Sequence, residues 1–377
     1  MPRPEDTYFM RLALEEGRKG LGHTSPNPPV GAVVVKANRV VGRGYHARAG
    51  EPHAEVNALR GAGAEAQGAT LYVTLEPCHH HGRTPPCTKA ILEAGIRRVV
   101  VGALDPNPVA QGGLDFLAQQ GLETESGVLE EECLYLARFF LYAVKKGLPW
   151  VISKVAASLD GRVATKKGDS QWITGPQARK VGHHLRHICD AILVGKGTVA
   201  SDNPSLTCRL PHGKDPVRFI LDSNLSLNPE AYQIFSLSSP AQTIVVAGEG
   251  CPEARLKSFQ EKGLTVWLLP RTRNHRIDLK ALLKRLLKEG LLSLLVEGGP
   301  TVHGSFFDAG LVNEVYFFYG PVVIGGQGAL GSVLGEGPER LSQAWWLKRL
   351  KVETLNDSVL ITGLVTELSE LKPGAPR

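Results

Sequence analysis

The chain has 377 residues, 42 % hydrophobic and 21 % charged, which is ample core for two or three domains and leaves no apolar run near the ~20 residues of a membrane span. Six cysteines are too few for a disulfide framework and Met1 to Asp6 has no apolar signal-peptide core, so a reduced, cytoplasmic protein with no membrane partner is expected. The net charge of +6 lies wholly after residue 147, since residues 1–147 carry 16 Lys/Arg and 16 Asp/Glu, and that neutral half lacks the basic footprint a nucleic-acid partner requires.

In chain order, Asp6 can cap a first helix that buries Leu12 and Ala13 and stops at Gly20. The rigid loop Ser25-Pro26-Asn27-Pro28-Pro29 feeds a buried strand, Val30 to Val35, and Ala37-Asn38 turns it into a hairpin with Arg39 to Gly42. Asn27 stands where a loop can meet a ligand; a plain turn residue is the other reading. Glu51-Pro52 introduces a helix with His53 and Glu55 in its first turn. A strand from Thr70 to Thr74 ends at Pro77-Cys78, and Cys87 opens a helix to about Ala94, so both cysteines sit near helix N-termini, which favour thiolate. The next strand, Arg97 to Gly102, has Asp105-Pro106-Asn107-Pro108 at its C-terminal end, and Leu129 to Lys146 reads as one long helix before Pro149. Alternating strands and helices argue a mostly parallel sheet between helices, with ligand loops at the C-terminal strand ends.

His53, Cys78 and Cys87 are a good ligand set for zinc, because one imidazole and two thiolates leave a fourth tetrahedral position for water. Zinc draws the pKa of such a water towards about 7. Glu55 is not needed as a ligand and is free to move protons. His-x-Glu followed by Pro-Cys and a second Cys is the zinc deaminase signature, although its usual Pro-Cys-x-x-Cys is here widened by His79 to Pro86. A closed structural site using one of His79, His80 and His81 is the competing reading, and it has no use for Glu55.

The second half restarts with a strand, Trp150 to Ala156, then Ser158-Leu159-Asp160-Gly161-Arg162 and a helix from Pro176 to His187. Strands follow at Ala191–Val194, Arg218–Leu221, Thr243–Ala247, Thr265–Leu269 and Leu292–Val296, with helices at Pro252–Lys262 and Leu279–Glu289. Gly195-Lys196-Gly197-Thr198 opens an irregular segment to Arg209. Glu297-Gly298-Gly299-Pro300-Thr301 precedes a helix to Ala309, strands lie near Glu314–Tyr319 and Val359–Thr366, and Leu371 to Arg377 reads as a frayed tail. Gly298-Gly299 lets backbone amides approach a phosphate at a helix N-terminus, or is a plain tight turn.

Glu76-Pro77-Cys78 and the Gly82-Arg83-Thr84-Pro85-Pro86-Cys87 ending resemble the deaminases of riboflavin biosynthesis. Ser158-Leu159-Asp160-Gly161, Trp172-Ile173-Thr174, Asp202-Asn203-Pro204, Arg209 and Glu297-Gly298-Gly299-Pro300 follow the order seen in the reductases of the same pathway. The whole chain thus resembles the bifunctional deaminase/reductase family. The resemblance implies a cytidine-deaminase-like α/β/α domain, residues 1–147, then a dihydrofolate-reductase-like α/β domain, residues 148–377. It implies a homo-oligomer, dimer or tetramer, acting on a phosphorylated pyrimidine with zinc and NADPH.

Carried onto this sequence, the resemblance makes His53, Cys78 and Cys87 the zinc ligands and Glu55 the proton donor. It places Ser170, Arg186, Leu206, Arg209 and Glu297 on the sugar-phosphate substrate. It places Ala156, Trp172, Thr198, Asp202, Ser223 and the loop Gly299, Pro300, Thr301, Val302, His303, Gly304 and Ser305 on NADPH. Asn203 departs from the family, which often has a second Asp there. His80 and Arg83 are candidate contacts for substrate phosphate in the first site. Each has a plainer reading: Trp172 as core, Arg186 and Arg209 as surface ion pairs, His80 and Arg83 as parts of a spacer that must fold for its own sake. The competing functions are a nucleic-acid or free-base deaminase fused to an unrelated domain, and a non-catalytic zinc module that senses a pyrimidine.

Overall fold

A computed structural model describes residues 3–81 and 85–373. The chain forms two compact units: Pro149–Thr366, and Met1–Leu148 together with the described part of Glu367–Arg377.

The first unit runs α1 (Asp6–Arg18), β1 (Gly31–Lys36), β2 (Arg39–Tyr45), α2 (Ala54–Ala62), β3 (Thr70–Leu75), α3 (Cys87–Glu93), β4 (Arg98–Ala103), α4 (Gly113–Gln119), β5 (Glu123–Ser126), α5 (Glu130–Leu136) and α6 (Arg138–Lys146). Its sheet has the order β2-β1-β3-β4-β5. β3, β4 and β5 are parallel, whereas β1 is antiparallel to both neighbours, so the sheet is mixed rather than mostly parallel. Alternate residues of β1, β3 and β4 (Ala32, Val34, Leu71, Val73, Val99, Val101) pack with Ala54 and Ala58 of α2 and Ile91 of α3 into one apolar core. The close approach of α1 to β1 needs glycine: a methyl on Gly31 would lie 2.0 Å from the carbonyl oxygen of Ala13.

Asp6 is the first residue of α1 rather than its cap. Its carboxylate instead accepts from Arg98 Nη1 and Nη2 at 2.7 and 2.9 Å and from the Tyr72 hydroxyl at 2.8 Å, all buried. The expected long helix from Leu129 to Lys146 is two helices broken at Ala137, and α4 and β5 were absent from the sequence reading.

The second unit runs β6 (Trp150–Ser158), β7 (Arg162–Ala164), α7 (Pro176–Ile188), β8 (Ala191–Gly195), α8 (Lys196–Asp202), β9 (Val217–Leu221), β10 (Thr243–Gly248), α9 (Glu253–Glu261), β11 (Thr265–Leu269), α10 (Leu279–Lys288), β12 (Ser293–Val296), α11 (Pro300–Asp308), β13 (Glu314–Gly320), β14 (Leu330–Gly331), β15 (Lys348–Leu355) and β16 (Ser358–Leu364). The main sheet has nine strands, ordered β11-β10-β9-β8-β12-β6-β13-β16-β15. The seven from β11 to β13 are parallel and β16 and β15 add an antiparallel hairpin. β8 and β12 are buried along their whole length, as strands covered on both faces must be.

Three expectations for this half change. The segment after Gly195 opens as a helix, α8, whose C-cap Asn203 takes a left-handed conformation, φ +42°, that Asn tolerates better than most residues. The stretch from Gly299 to Ser305 is a cap and the first turns of α11 rather than a loop. The expected domain 148–377 stops short, because Leu368 and Leu371 on a short 3-10 turn are buried against α5 and α6 of the first unit. Lys146–Glu370 at 2.8 Å and Lys372–Glu130 at 2.6 Å flank that contact, so the tail is docked through Lys372 and only residues 374–377 lie outside the described residues.

Candidate active sites

In the first unit, β3 delivers Pro77-Cys78, α3 begins with Cys87, and α2 presents His53 as its N-cap. The three donor atoms lie within 4.8 Å of one another. His53 Nδ1 is 3.2 Å from Cys87 Sγ and 3.6 Å from Cys78 Sγ. Tetrahedral zinc, with bonds of about 2.3 Å to sulfur and about 2.0 Å to nitrogen, spaces neighbouring ligand atoms roughly 3.5 Å apart, so the triangle fits the ion. A hydrogen bond to Cys87 draws the Cys78 thiol down to about 4, and the same bond pushes Cys87 up. Two sulfurs this close favour one thiolate over two, and a bound divalent cation would stabilise both.

Glu55, one residue into α2, is buried beside this triangle and is not among the three converging donors. Burial pushes its carboxyl up to about 6. The adjoining cavity, about 370 Å³, is lined by Asn27, His46, His53, Glu55, Cys78, His80, Asp105 and Asn107 among others. His46 Nδ1 lies 3.2 Å from the Pro52 carbonyl and must donate to it, which leaves Nε2 to accept from Asn27 Nδ2 at 3.1 Å. Asn27 is therefore oriented as well as placed. His80 Nδ1 is buried without a protein partner. Arg83 lies outside the described residues. His46 and Asp105 were missed by the sequence reading; Asp105, at the C-terminal end of β4, is pushed up to about 6 by burial.

In the second unit a larger cavity, about 690 Å³, opens at the C-terminal ends of β6, β8 and β12. Its walls include Ala156, Ser170, Trp172, Arg186, Thr198, Asp202, Leu206, Arg209, Glu297, Gly299, Pro300 and His303, all expected, with Lys154, His183 and Asn203 besides. Thr301, Val302, Gly304 and Ser305 do not line it, because the helix turns them away, and Ser223 lines a different hollow after β9. Trp172 is 69 % exposed rather than core, with the Arg179 guanidinium 4.6 Å from its ring centre. Only glycine fits at 298, where a methyl would lie 2.7 Å from Val194 and 2.9 Å from Thr198 Oγ1.

Arg186 is neither a surface pair nor a free fork. It donates from Nε and Nη2 to the two oxygens of Glu297, both at 2.8 Å, and from Nη1 to the Thr207 carbonyl at 3.0 Å. Lys154 stands 3.8 Å from the same carboxylate. Burial raises the Glu297 carboxyl, but Arg186 and Lys154 outweigh it and hold the group down at about 2. Arg209 makes one long contact, 3.4 Å to Ser205 Oγ, and lines the cavity wall. Lys154 had a signal in the sequence, a lone lysine within a strand that carries no other charge.

A profile of the cytidine and deoxycytidylate deaminase zinc-binding region matches residues 3–103, and one of the RibD C-terminal domain matches residues 149–361. The riboflavin biosynthesis protein RibD of Bacillus amyloliquefaciens is 42 % identical over 361 residues, which cover 95 % of this chain and 96 % of that one. That of Aquifex aeolicus is 43 % identical over 363 residues, covering 96 % and 99 %. Among solved structures, Acinetobacter baumannii RibD aligns with a TM-score of 0.83 at 37 % identity, covering 96 % of this chain and 99 % of that one. The diaminohydroxyphosphoribosylaminopyrimidine deaminase/5-amino-6-(5-phosphoribosylamino)uracil reductase of Thermotoga maritima aligns at 0.82 with 39 % identity, covering 95 % and 97 %. With both units matched and identities near 40 % across the whole chain, this protein belongs to the RibD family of bifunctional riboflavin-biosynthesis enzymes.

Proposed function

We infer that the chain deaminates 2,5-diamino-6-(5-phosphoribosylamino)pyrimidin-4(3H)-one and then, with NADPH, reduces the ribosyl side chain to give 5-amino-6-(5-phosphoribitylamino)uracil. The observation that carries this is the His53/Cys78/Cys87 triangle with buried Glu55 in one unit, together with a separate cavity in the other whose lining includes Glu297, Gly299 and Pro300. The domains act as two catalytic units, deaminase first in the chain and reductase second.

His53, Cys78 and Cys87 would hold zinc, which when bound supplies a water activated at neutral pH. Glu55 would take a proton from the attacking water and give it to the exocyclic amine on the ring carbon under attack, so that the carbon–nitrogen bond breaks and ammonia leaves; its raised pKa suits both halves of the transfer. Asn27, fixed by His46, orients the pyrimidine, and His80, with its unpartnered nitrogen, receives substrate at the mouth.

NADPH supplies hydride to an electrophilic carbon, so the second unit's task is positioning. In the opened ribosylamine, as its imine, that carbon is C1′. Glu297, anchored by Arg186, accepts from sugar hydroxyls, and Lys154 supplies the proton that the imine nitrogen takes up. Arg209 is the phosphate fork, with Ser170 and Leu206 completing the sugar-phosphate wall. Ala156, Trp172, Thr198, Asp202, Gly299, Pro300 and His303 form the nicotinamide and pyrophosphate side.

No helix among the described residues is long and apolar enough to cross a membrane. The six cysteines are all unbridged, which supports a cytoplasmic setting. A homo-oligomer is supported by β15, an exposed edge strand bearing Leu350 and Val352. The decisive experiment supplies the diaminopyrimidine phosphate with and without NADPH and weighs both products. Release of ammonia without NADPH, then a gain of two hydrogens with it, is the expected result; ammonia release from free cytosine, adenosine or tRNA instead would replace this reading.

A further inference from the structure

We propose that Glu76 is a positioning residue of the first site: its carboxylate clamps both feet of the loop bearing Asp105 and Asn107 to the strand that delivers Cys78. This rests on the deaminase reading above. Glu76 directly follows β3 and stands two positions before Cys78. It is buried, and with Asp105, Asn107 and Ala110 it lines the cavity beside the His53/Cys78/Cys87 triangle. Its backbone is fixed by the sheet, since Glu76 N donates to the Ala103 carbonyl at 3.0 Å.

The connection from β4 to α4 closes on the Glu76 side chain. Oε2 accepts from the Asp105 amide at 3.1 Å, at the foot of the loop nearest β4. Oε1 accepts from the amides of Gly112 and Leu114, both at 3.1 Å, at the foot that opens α4. α4 has no side-chain cap of its own, and its N-cap Gly112 is left-handed at φ +90°, so a carboxylate from β3 takes the part of a capping side chain. Between the feet the bonds are local. Asn107 N donates to Asp105 Oδ1 at 2.8 Å, and Ala110 N donates to the Asn107 carbonyl at 2.9 Å. Such bonds shape the loop but do not set its height over the metal triangle. Two further contacts press the same elements together. The His79 ring stacks on Phe116 of α4 with centroids 4.0 Å apart, and a methyl on Gly113 would lie 1.9 Å from the Pro77 carbonyl oxygen. Glu76 thus fixes a substrate-facing wall relative to a metal ligand, where an error of about 1 Å can cost on the order of 100-fold. Cys78 has anchors besides this one. Thr88 N donates to its carbonyl at 3.3 Å and Cys87 N to its Sγ at 3.4 Å. Removing the carboxylate should therefore free the loop and leave the metal ligands in place.

Glu76→Gln and Glu76→Ala, in the zinc-loaded full chain, test this by ammonia release over a range of diaminopyrimidine phosphate concentrations, with amide hydrogen exchange beside it. A carboxamide has one accepting oxygen, and its NH2 would face an amide N–H at one foot or the other. Glu76→Gln should raise KM by about 10- to 100-fold, the range for losing a charge-assisted hydrogen bond, and Glu76→Ala should raise it further. kcat should change less than KM, and zinc per chain should stay at the wild-type value. Exchange should quicken at Asp105, Gly112 and Leu114, with Glu76 and Thr88 unchanged. A lowered melting temperature with unchanged KM would make Glu76 structural only, and loss of zinc in step with activity would place its effect on Cys78; either overturns the proposal. Should neither variant fold, the wild type still decides: rapid exchange of the Asp105, Gly112 and Leu114 amides refutes the clamp, and protection at all three supports it. A wild-type chain that released no ammonia from this substrate would sink the deaminase reading and the positioning role with it, whatever the exchange pattern.

Discussion

At the scale of single residues, the function proposed for the first site separates groups that hold an ion from one that moves protons. Glu55→Gln keeps the size and buried position of the side chain but cannot relay a proton. Deamination should fall by about 10²–10⁴-fold, while zinc content, by metal analysis, and reduction of the already deaminated intermediate should stay near normal. Loss of both activities in a folded, zinc-loaded variant would contradict the division between the two units. Cys78→Ser should do the opposite and lose most of the zinc, because a hydroxyl is a poor replacement for thiolate; full occupancy in that variant would remove Cys78 from the ligand set. These residues were legible because their chemistry is written in local spacing, two residues from His53 to Glu55 and nine from Cys78 to Cys87. The Arg186–Glu297 pair was not legible. Its partners are separated by 111 positions, and nothing local says that one arginine is spent on a carboxylate while Arg209 makes only a long contact to Ser205.

A residue-scale consequence for stability follows from Asp6. Burial pulls its carboxyl up, but bonds from Arg98, the Arg3 backbone and Tyr72 hold it below its ordinary value. A carboxylate lowered in the folded state stabilises fully above its unfolded pKa of about 3.9, and that contribution is lost as pH falls through the lower folded value. Unfolding of the first unit by urea should therefore become easier with acid below about pH 4. Asp6→Asn should lower the midpoint at pH 7, since buried Arg98 would keep only Glu123, 2.9 Å from its Nε, as a counter-charge, and should flatten the acid dependence. An unchanged acid slope in that variant would assign the effect to other carboxylates.

At the scale of elements, several of the expectations that held are carried by apolar runs. Gly31 to Val35, Ala191 to Val194 and Ser293 to Val296 are buried throughout within their strands. Those that failed lack such a run. β15, Lys-Arg-Leu-Lys-Val-Glu-Thr-Leu, is an exposed edge whose side chains pack on little, so its strand state is set by pairing with β16 and not by its own pattern. The break at Ala137 and the seven-residue α8 are decided by tertiary packing in the same way. Where an element is fixed by close approach, the sequence carries a sharper mark. Gly31→Ala would drive a methyl into the backbone of α1, so the first unit should lose about 1–3 kcal/mol, or more if α1 cannot shift. A melting temperature within a degree of the wild type would show that α1 gives way freely.

At the scale of the whole molecule, the chain is read as two domains in series, but the fold is not strictly serial. The second unit is an insertion: the chain leaves the first unit after Leu148 and returns to it at Glu367, where Leu368 and Leu371 complete the packing of α5 and α6. Ending the chain at Thr366 should therefore destabilise the deaminase half and spare NADPH binding by the other. Leu371→Asp should do the same without shortening the chain, as judged by zinc retention against cofactor affinity after mild heating. The return was missed because a seven-residue stretch with two leucines carries no periodicity that distinguishes docking from fraying.

That closing contact also sets an order of events during synthesis. A ribosome releases the zinc-binding half long before it releases the residues that finish packing it. The earlier half must wait, incompletely covered, while roughly 220 residues are made, about 10–45 s at 5–20 residues per second. The inserted reductase unit can meanwhile fold to completion. In this protein the half that is made first is the half that matures last.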